Sequence, residues 1–344
     1  MIRTTRTHRR WTGLIVASLL AVVTASAPAA LGATPPTSEA EQQAAGGSWN
    51  DLTNLARTLA RGGDTTRAAG GSGASTCSYE PGAATVMVTV EGVSDSIDDH
   101  AVRVGGGGAI FFGGEPCDTA TVNNTDDIVI SGTPSDDDVV IDLRGGPFEP
   151  GATPEETGIS EIEFSIDLGG AATGPVNFFD VVGIIGTAGP DRIILGHGGI
   201  NLNADGDADI LMANNPRTFL LVLGLEGNDI IRARGGSGTG GALRQVFFAQ
   251  GGPGADRIVG GNRGNFLLGG KGNDALIGGP RGDFLIGQGG KDLLRGRGGP
   301  DFLFGGRGRD LLRGGAGNDR LHGGPGIDTC RPGPGRDRLI SCER

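Results

Sequence analysis

The sequence predicts an all-β fold in which very short parallel strands stack into a coil, and three observations carry that expectation. Glycine makes up 68 of the 344 residues, where ordinary globular chains hold roughly 7%. From residue 251 to residue 340 the chain divides into ten consecutive nine-residue units without an insertion, beginning GGPGADRIV, GGNRGNFLL and GGKGNDALI. Within these units one position is acidic almost without exception, and another is apolar. Collagen is excluded because Gly does not recur at every third position with abundant Pro. A disordered linker is excluded because the glycines alternate with a regular supply of Leu, Ile and Phe.

The unit's own chemistry dictates the coil. Its first six residues are Gly, Pro, Asn, Asp and similar types, which make a turn because Gly tolerates positive φ and close backbone approach. Three residues remain for a strand, so the central side chain, position 8, faces one way and positions 7 and 9 face the other. Position 8 is Ile258, Leu267, Leu276, Leu285, Leu294, Leu303, Leu312, Leu321, Cys330 and Leu339, and is expected to face inward. Two units then close one 18-residue coil with a turn on each side. Position 6 is Asp256, Asp274, Asp283, Asp292, Asp301, Asp310, Asp319, Asp328 and Asp337, with Asn265 in the remaining unit. Stacked at a strand spacing of about 4.8 Å, these carboxylates repel unless a cation separates them. A hard ion taking six to eight oxygen ligands suits Asp beside exposed turn carbonyls, which selects calcium over magnesium, zinc and copper.

The units resemble the GGxGxDxUx nonapeptide of RTX, or haemolysin-type, calcium-binding proteins. The likeness covers about a quarter of the chain closely. It implies a parallel β-roll, with calcium held between units n and n+2 by the turn Asp and neighbouring carbonyls, and repeats that order when calcium arrives. Ten units give up to eight such sites. The departures are Asn265, Arg263 and Arg281 at the fourth position, and Pro332 in place of the first Gly of the last unit. Sites nearest those residues are the least secure.

Along the rest of the chain, residues 1–33 read as a secretory signal peptide. Arg3, Arg6, Arg9 and Arg10 precede an apolar run over 11–23, then small residues suited to cleavage between 27 and 33. Secretion follows, and no membrane span is expected after cleavage. Residues 34–76 read as a mobile arm with a short amphipathic helix, since Trp49, Leu52, Leu55, Ala56 and Leu59 recur at helical spacing before Gly62 and Gly63. Residues 77–125 read as a small β module with strands near 84–90 and 109–112. Residues 126–250 read as degenerate solenoid coils: the order Gly, Gly, Asp, apolar recurs at Gly186, Gly189, Asp191, Ile193 and at Gly224, Gly227, Asp229, Ile231. Asp191 and Asp209 stand 18 apart, the spacing of one coil. The calcium-binding roll occupies 251–344.

Four cysteines lie beyond the signal, an even count that suggests two disulfides in an oxidising compartment. Of the three pairings, Cys77 with Cys117 and Cys330 with Cys342 is favoured because each closes a local loop. The formal charge is −11, unevenly spread: residues 251–344 hold 15 Lys+Arg against 10 Asp+Glu, net +5, while 34–250 carry −20. Outward positions also divide by face. One carries Phe266, Leu268, Phe284, Ile286, Phe302 and Phe304, a strip meant either for the protein's own N-terminal region or for a partner. The other carries Arg295, Arg313 and Arg331.

Catalytic signatures are missing from the sequence. None of His8, His100, His197 and His322 belongs to an HExxH pair, and no GxSxG elbow occurs. The run Asp205-Gly-Asp207-Ala-Asp209 starts like an EF-hand loop, but Ile210 stands where Gly is needed and Pro216 where the bidentate Glu belongs, so it reads as another solenoid turn. No catalytic residue is assigned. The expectation is a non-enzymatic secreted calcium-binding protein, structural or adhesive, with a cell-surface or glycan ligand and no nucleic-acid partner. The alternative is an extracellular polysaccharide-active enzyme built on the solenoid.

Overall fold

Every nine residues the chain changes wall. The computed structural model describes residues 75–92, 99–133, 137–149, 161–169, 180–203, 207–213 and 218–343; the expected leader over 1–33 and the expected helix at 49–59 lie outside them. The described strands form two sheets, of 13 and 12 strands. The helical elements among the described residues are two 3-10 turns, Gly106–Gly108 and Leu143–Gly145. None of the described segments is a helix long and apolar enough to cross a membrane. The chain is all-β, with a parallel β-roll over the repeats.

In the roll, Asn265–Lys271, Phe284–Gly290 and Phe302–Gly308 stack in parallel on one wall, and Ala275–Ile277, Leu293–Gly298 and Leu311–Ala316 on the other. Partners are 18 residues apart, as Leu267 opposite Leu285 and Leu276 opposite Leu294. Position 8 faces inward as its strand parity requires: Ile258, Leu267, Leu276, Leu285, Leu294, Leu303, Leu312 and Leu321 are fully buried in one core. Each contributes roughly 1.5–3 kcal/mol of burial. The pattern ends with the roll. Leu339 is 46% exposed, because no further coil covers it.

The two walls continue without a break toward the N-terminus. Thr85–Thr89, Asp127–Ser131 and Glu163–Asp167 are parallel on the 13-stranded wall. Ala101–Val104, Asp138–Asp142, Val181–Ile185 and Phe219–Leu223 are parallel on the other. Val86 and Leu321 belong to the same core cluster. These coils differ from the repeats in the unequal lengths of chain between successive strands.

Both disulfides sit at ends of this solenoid. Cys77, on the antiparallel edge strand Thr76–Glu80, is bonded to Cys117 on Glu115–Thr121, the edge strand of the opposite sheet. Cys330, on the last strand of the 13-stranded wall, is bonded to Cys342. The anticipated stacking of Asp191 with Asp209 does not occur. After Arg192–Leu195 the chain doubles back through Gly199–Asn201 and Ile210–Met212 in antiparallel pairs, and Asp191 instead stacks on Asp229.

Candidate metal centre

Turn after turn of the roll folds its Asp back over the first glycine of the unit. A Cβ on Gly251, Gly269 or Gly287 would lie 2.1, 2.3 or 2.2 Å from Oδ2 of Asp256, Asp274 or Asp292, so that position has no room for a side chain. The fourth position is restricted twice over. Gly272, Gly290 and Gly308 have φ of 132°, 143° and 145°, and a Cβ there would meet the carbonyl oxygen of Gly254, Gly272 or Gly290 at 1.6 Å. Thus carbonyls of successive coils lie stacked beside the carboxylates.

The carboxylates form two ladders. On one side, the N–H of Asp229 donates to Oδ1 of Asp256, and the pattern repeats through Asp274, Asp292, Asp310 and Asp328 at 2.8–2.9 Å. On the other side Asn265, Asp283, Asp301 and Asp319 donate in turn to Asp283, Asp301, Asp319 and Asp337 at 2.7–2.9 Å. The first ladder runs past the repeat at both ends. Asp191 donates to Asp229 at 2.9 Å, and Asp328 donates to the Glu343 carboxylate.

Eight of these rungs leave the second carboxylate oxygen over. Oδ2 of Asp229, Asp256, Asp274, Asp292, Asp310 and Asp328 on the first ladder, and of Asp301 and Asp319 on the second, is buried and meets no donor. Uncompensated burial of that kind costs several kcal/mol per charge. Its signature is a raised pKa: burial pushes Asp229, Asp256 and Asp274 up to about 6, Asp292 to about 7 and Asp301 to about 9. Burial raises Asp310, Asp319 and Asp328 as well. Orphaned carboxylate oxygens beside stacked carbonyls are an all-oxygen donor set, which fits calcium and offers nothing to a soft metal.

The expected weak points differ from this set in a way the side chains explain. Asp283 has both oxygens engaged: Gly279 N–H donates to one, and the Asn265 N–H and side-chain amide donate to the other. Burial still pushes it up to about 7, opposed by those donors and by the nearby Arg234 guanidinium. Asp337, in the unit that begins with Pro332, is part-exposed. In the degenerate coils a Thr does what Asn265 does here. The Thr187 N–H and hydroxyl donate to Asp191, and those of Thr133 to Asp137.

Residues 250–280, 269–303, 277–312 and 296–330 match the RTX calcium-binding nonapeptide repeat, as four overlapping copies. The C-terminal roll is therefore made of RTX repeats, and Ca2+ is the ion such repeats bind. No curated protein and no solved structure matches the chain.

Asp229 and Glu343 extend the first ladder beyond both the matched residues and the ten sequence units. The signal for Asp229 was its turn, Gly224 to Asp229, which keeps Gly at positions 1 and 4 with Leu225 at φ 77° between them. It stands 27 rather than 18 residues from Asp256 because residues 233–245 are inserted between strands. Glu343 had no signal, being outside any unit. Elsewhere, Glu161, Asp207 and Asp209 bring carboxylate oxygens within 4.8 Å of one another. Asn203 donates to Glu161, and Leu202 N–H to Asp209. Ile210, directly after Asp209, pairs in parallel with Phe164, so this run leads into a rung of the solenoid.

Proposed function

We propose that this is a secreted structural or adhesive protein whose C-terminal roll is set by extracellular calcium held along the two Asp ladders. The ligands are Asp229, Asp256, Asp274, Asp292, Asp310 and Asp328 on the first ladder, with Asp301 and Asp319 on the second, together with carbonyls of the stacked turns. Asp283 is satisfied by Asn265 and Gly279 and acts as a metal-independent rung. Asp337 contributes a weaker terminal ligand. One observation carries the reading: a continuous file of buried carboxylate oxygens without donors, in a chain whose turns match a calcium-binding repeat. Two disulfides and an N-terminal signal-like segment support export to an oxidising, calcium-rich compartment.

Labelled protein offered to intact cells and to a glycan panel, in calcium and in chelator, tests the proposal. Binding that is lost in chelator, without release of sugar product, is the expected result. Product release from a polysaccharide would overturn it.

A further inference from the structure

The outer face of the 13-stranded sheet changes sign along its length. On the N-terminal coils it is acidic: Asp127 stands opposite Glu163, and Ser131 opposite Asp167, on neighbouring strands. On the strands from Arg192–Leu195 to Thr329–Arg331 the outward positions hold Arg192, Arg232, Arg257, Arg295, Arg313 and Arg331, and no Asp or Glu. The last three are consecutive register partners, so they leave the wall at the strand spacing of about 4.8 Å. Like charges held so close repel. Among the described residues none of the six pairs with a carboxylate, and Nε of Arg295 and of Arg313 meets no acceptor. The chain has a net charge of −11, yet the turn Asp residues from Asp256 to Asp328 are buried in the ladders rather than turned to this face. Cations crowd beside the column too. Burial lowers the Arg234 pKa, Arg297 lowers it further, and Arg232 adds to the fall against the opposing pull of Asp283. Arg192, Arg232, Arg257 and Arg331 are exposed, and Arg295 and Arg313 half-buried.

We infer that this wall is the docking face for a linear acidic polysaccharide, whose carboxylate or sulfate groups lie along the Arg column. The inference rests on the adhesive reading above and supplies its ligand class. A planar guanidinium presents parallel N–H donors that fit such an oxyanion. From the strand of Arg192 to that of Arg331 is six steps in the sheet order, about 29 Å at roughly 4.8 Å each. A small anion neutralises one rung of that column, whereas a polymer with charges in series neutralises all of it. The acidic coils repel the same polymer and so confine it to the C-terminal part of the wall. Single-stranded nucleic acid is the poorer match, because its bases stack on aromatic side chains within a basic groove. The other outward residues of these strands, such as Leu293 and Leu311, include no aromatic ring.

The test offers the full chain, in calcium, to immobilised heparin and polygalacturonate, with neutral dextran and oligothymidylate as controls. Binding to the two acidic polymers and not to dextran is expected, weakening as salt rises. Arg295→Gln, Arg313→Gln and Arg331→Gln together should lower affinity for both by about tenfold. Lys271→Gln, Arg307→Gln and Arg320→Gln remove equal charge from the opposite wall and should leave binding nearly unchanged. Far-UV circular dichroism establishes that each triple variant keeps its β signal. Equal loss in the two variants overturns the inference by making the attraction one of net charge alone. Tighter binding to oligothymidylate than to either polysaccharide overturns it by assigning the face to nucleic acid. Salt-sensitive self-association that the first variant abolishes also overturns it, by assigning the face to the acidic coils of a second copy. Glycan binding untouched by the first variant overturns this inference and leaves the adhesive reading standing, whereas binding to no glycan at all sinks both.

Discussion

The backbone N–H of Asp256 donates to one carboxylate oxygen of Asp274 at 2.9 Å, and the other oxygen of Asp274 meets no donor. Coil after coil, one oxygen thus fixes the register of the turn below, and the second is buried with an unmet need for positive charge. The same residue types do both jobs. A rung that satisfies itself, such as Asp283 with Asn265, holds the register alone; on the proposed reading, a rung that does not is a place for calcium.

Replacing Asp292 by Asn and Asp283 by Asn should separate these roles. Asp292→Asn removes an orphaned carboxylate, so calorimetric titration should show fewer bound Ca2+ per chain. Asp283→Asn should leave the calcium count unchanged and cost about 1–3 kcal/mol of stability through the lost donors' partner. Equal calcium loss in both variants would contradict the assignment.

The pH dependence should invert between chelator and calcium. Without metal, buried Asp groups have folded-state pKa values of about 6 to 9, against about 3.9 when unfolded. The folded roll therefore holds more protons than the unfolded chain between those values. This stability is fully present below about pH 4 and is lost as pH rises through 6 to 9. The 2.8 Å hydrogen bond to Asp138 raises the His100 pKa, against the opposing pull of burial, and this acts in the same direction. Urea midpoints in chelator should fall from pH 5 to pH 8, while apparent calcium affinity should rise over that range as protons cease to compete. A chelated midpoint that rises with pH would count against the orphaned-carboxylate account.

Leu294 is fully buried mid-roll, opposite Leu276 and Leu312. Leu294→Ala should cost about 2–5 kcal/mol in calcium, read from urea unfolding. Leu339→Ala, at a position 46% exposed, should cost far less. Similar penalties would mean that the last coil is covered in solution.

How much was legible in the sequence follows from how local the rule was. Ten uninterrupted units fixed the 18-residue coil, the inward Leu column and seven of the eight orphaned carboxylates, because each depended on neighbours at constant spacing. Asp229 was obscured by the insertion over 233–245, which changes its separation from Asp256 without changing its place in the stack. The mispairing of Asp191 with Asp209 has the opposite cause: the spacing was right, but antiparallel strands at 199–213 consumed the residues. Asp283 kept the consensus letter, and only the Asn265 amide and Gly279 N–H in space revealed that its oxygens were already engaged. The pairing of Cys77 with Cys117 was legible, but its place across the two sheet edges was not.

The Cys330–Cys342 bond closes a loop with sequence separation 12 at the open end of the roll. Chain entropy assigns such a loop about 3 kcal/mol, and in a coil that touches only its neighbours the effect stays local. Cys330→Ser with Cys342→Ser should speed amide exchange at Thr329–Arg331 and Arg338–Ile340 while leaving Asn265–Lys271 protected. Uniform loss of protection along the roll would contradict this.

The central claim, that calcium completes the Asp ladders and thereby the roll, is tested most directly by far-UV circular dichroism of the full chain during calcium titration from a chelated start at pH 8, with magnesium as control. The account predicts a cooperative gain of β signal at about 0.1–1 mM calcium, the range of extracellular modules, and none with magnesium. A full β signal already present in chelator, unchanged by calcium, would contradict it.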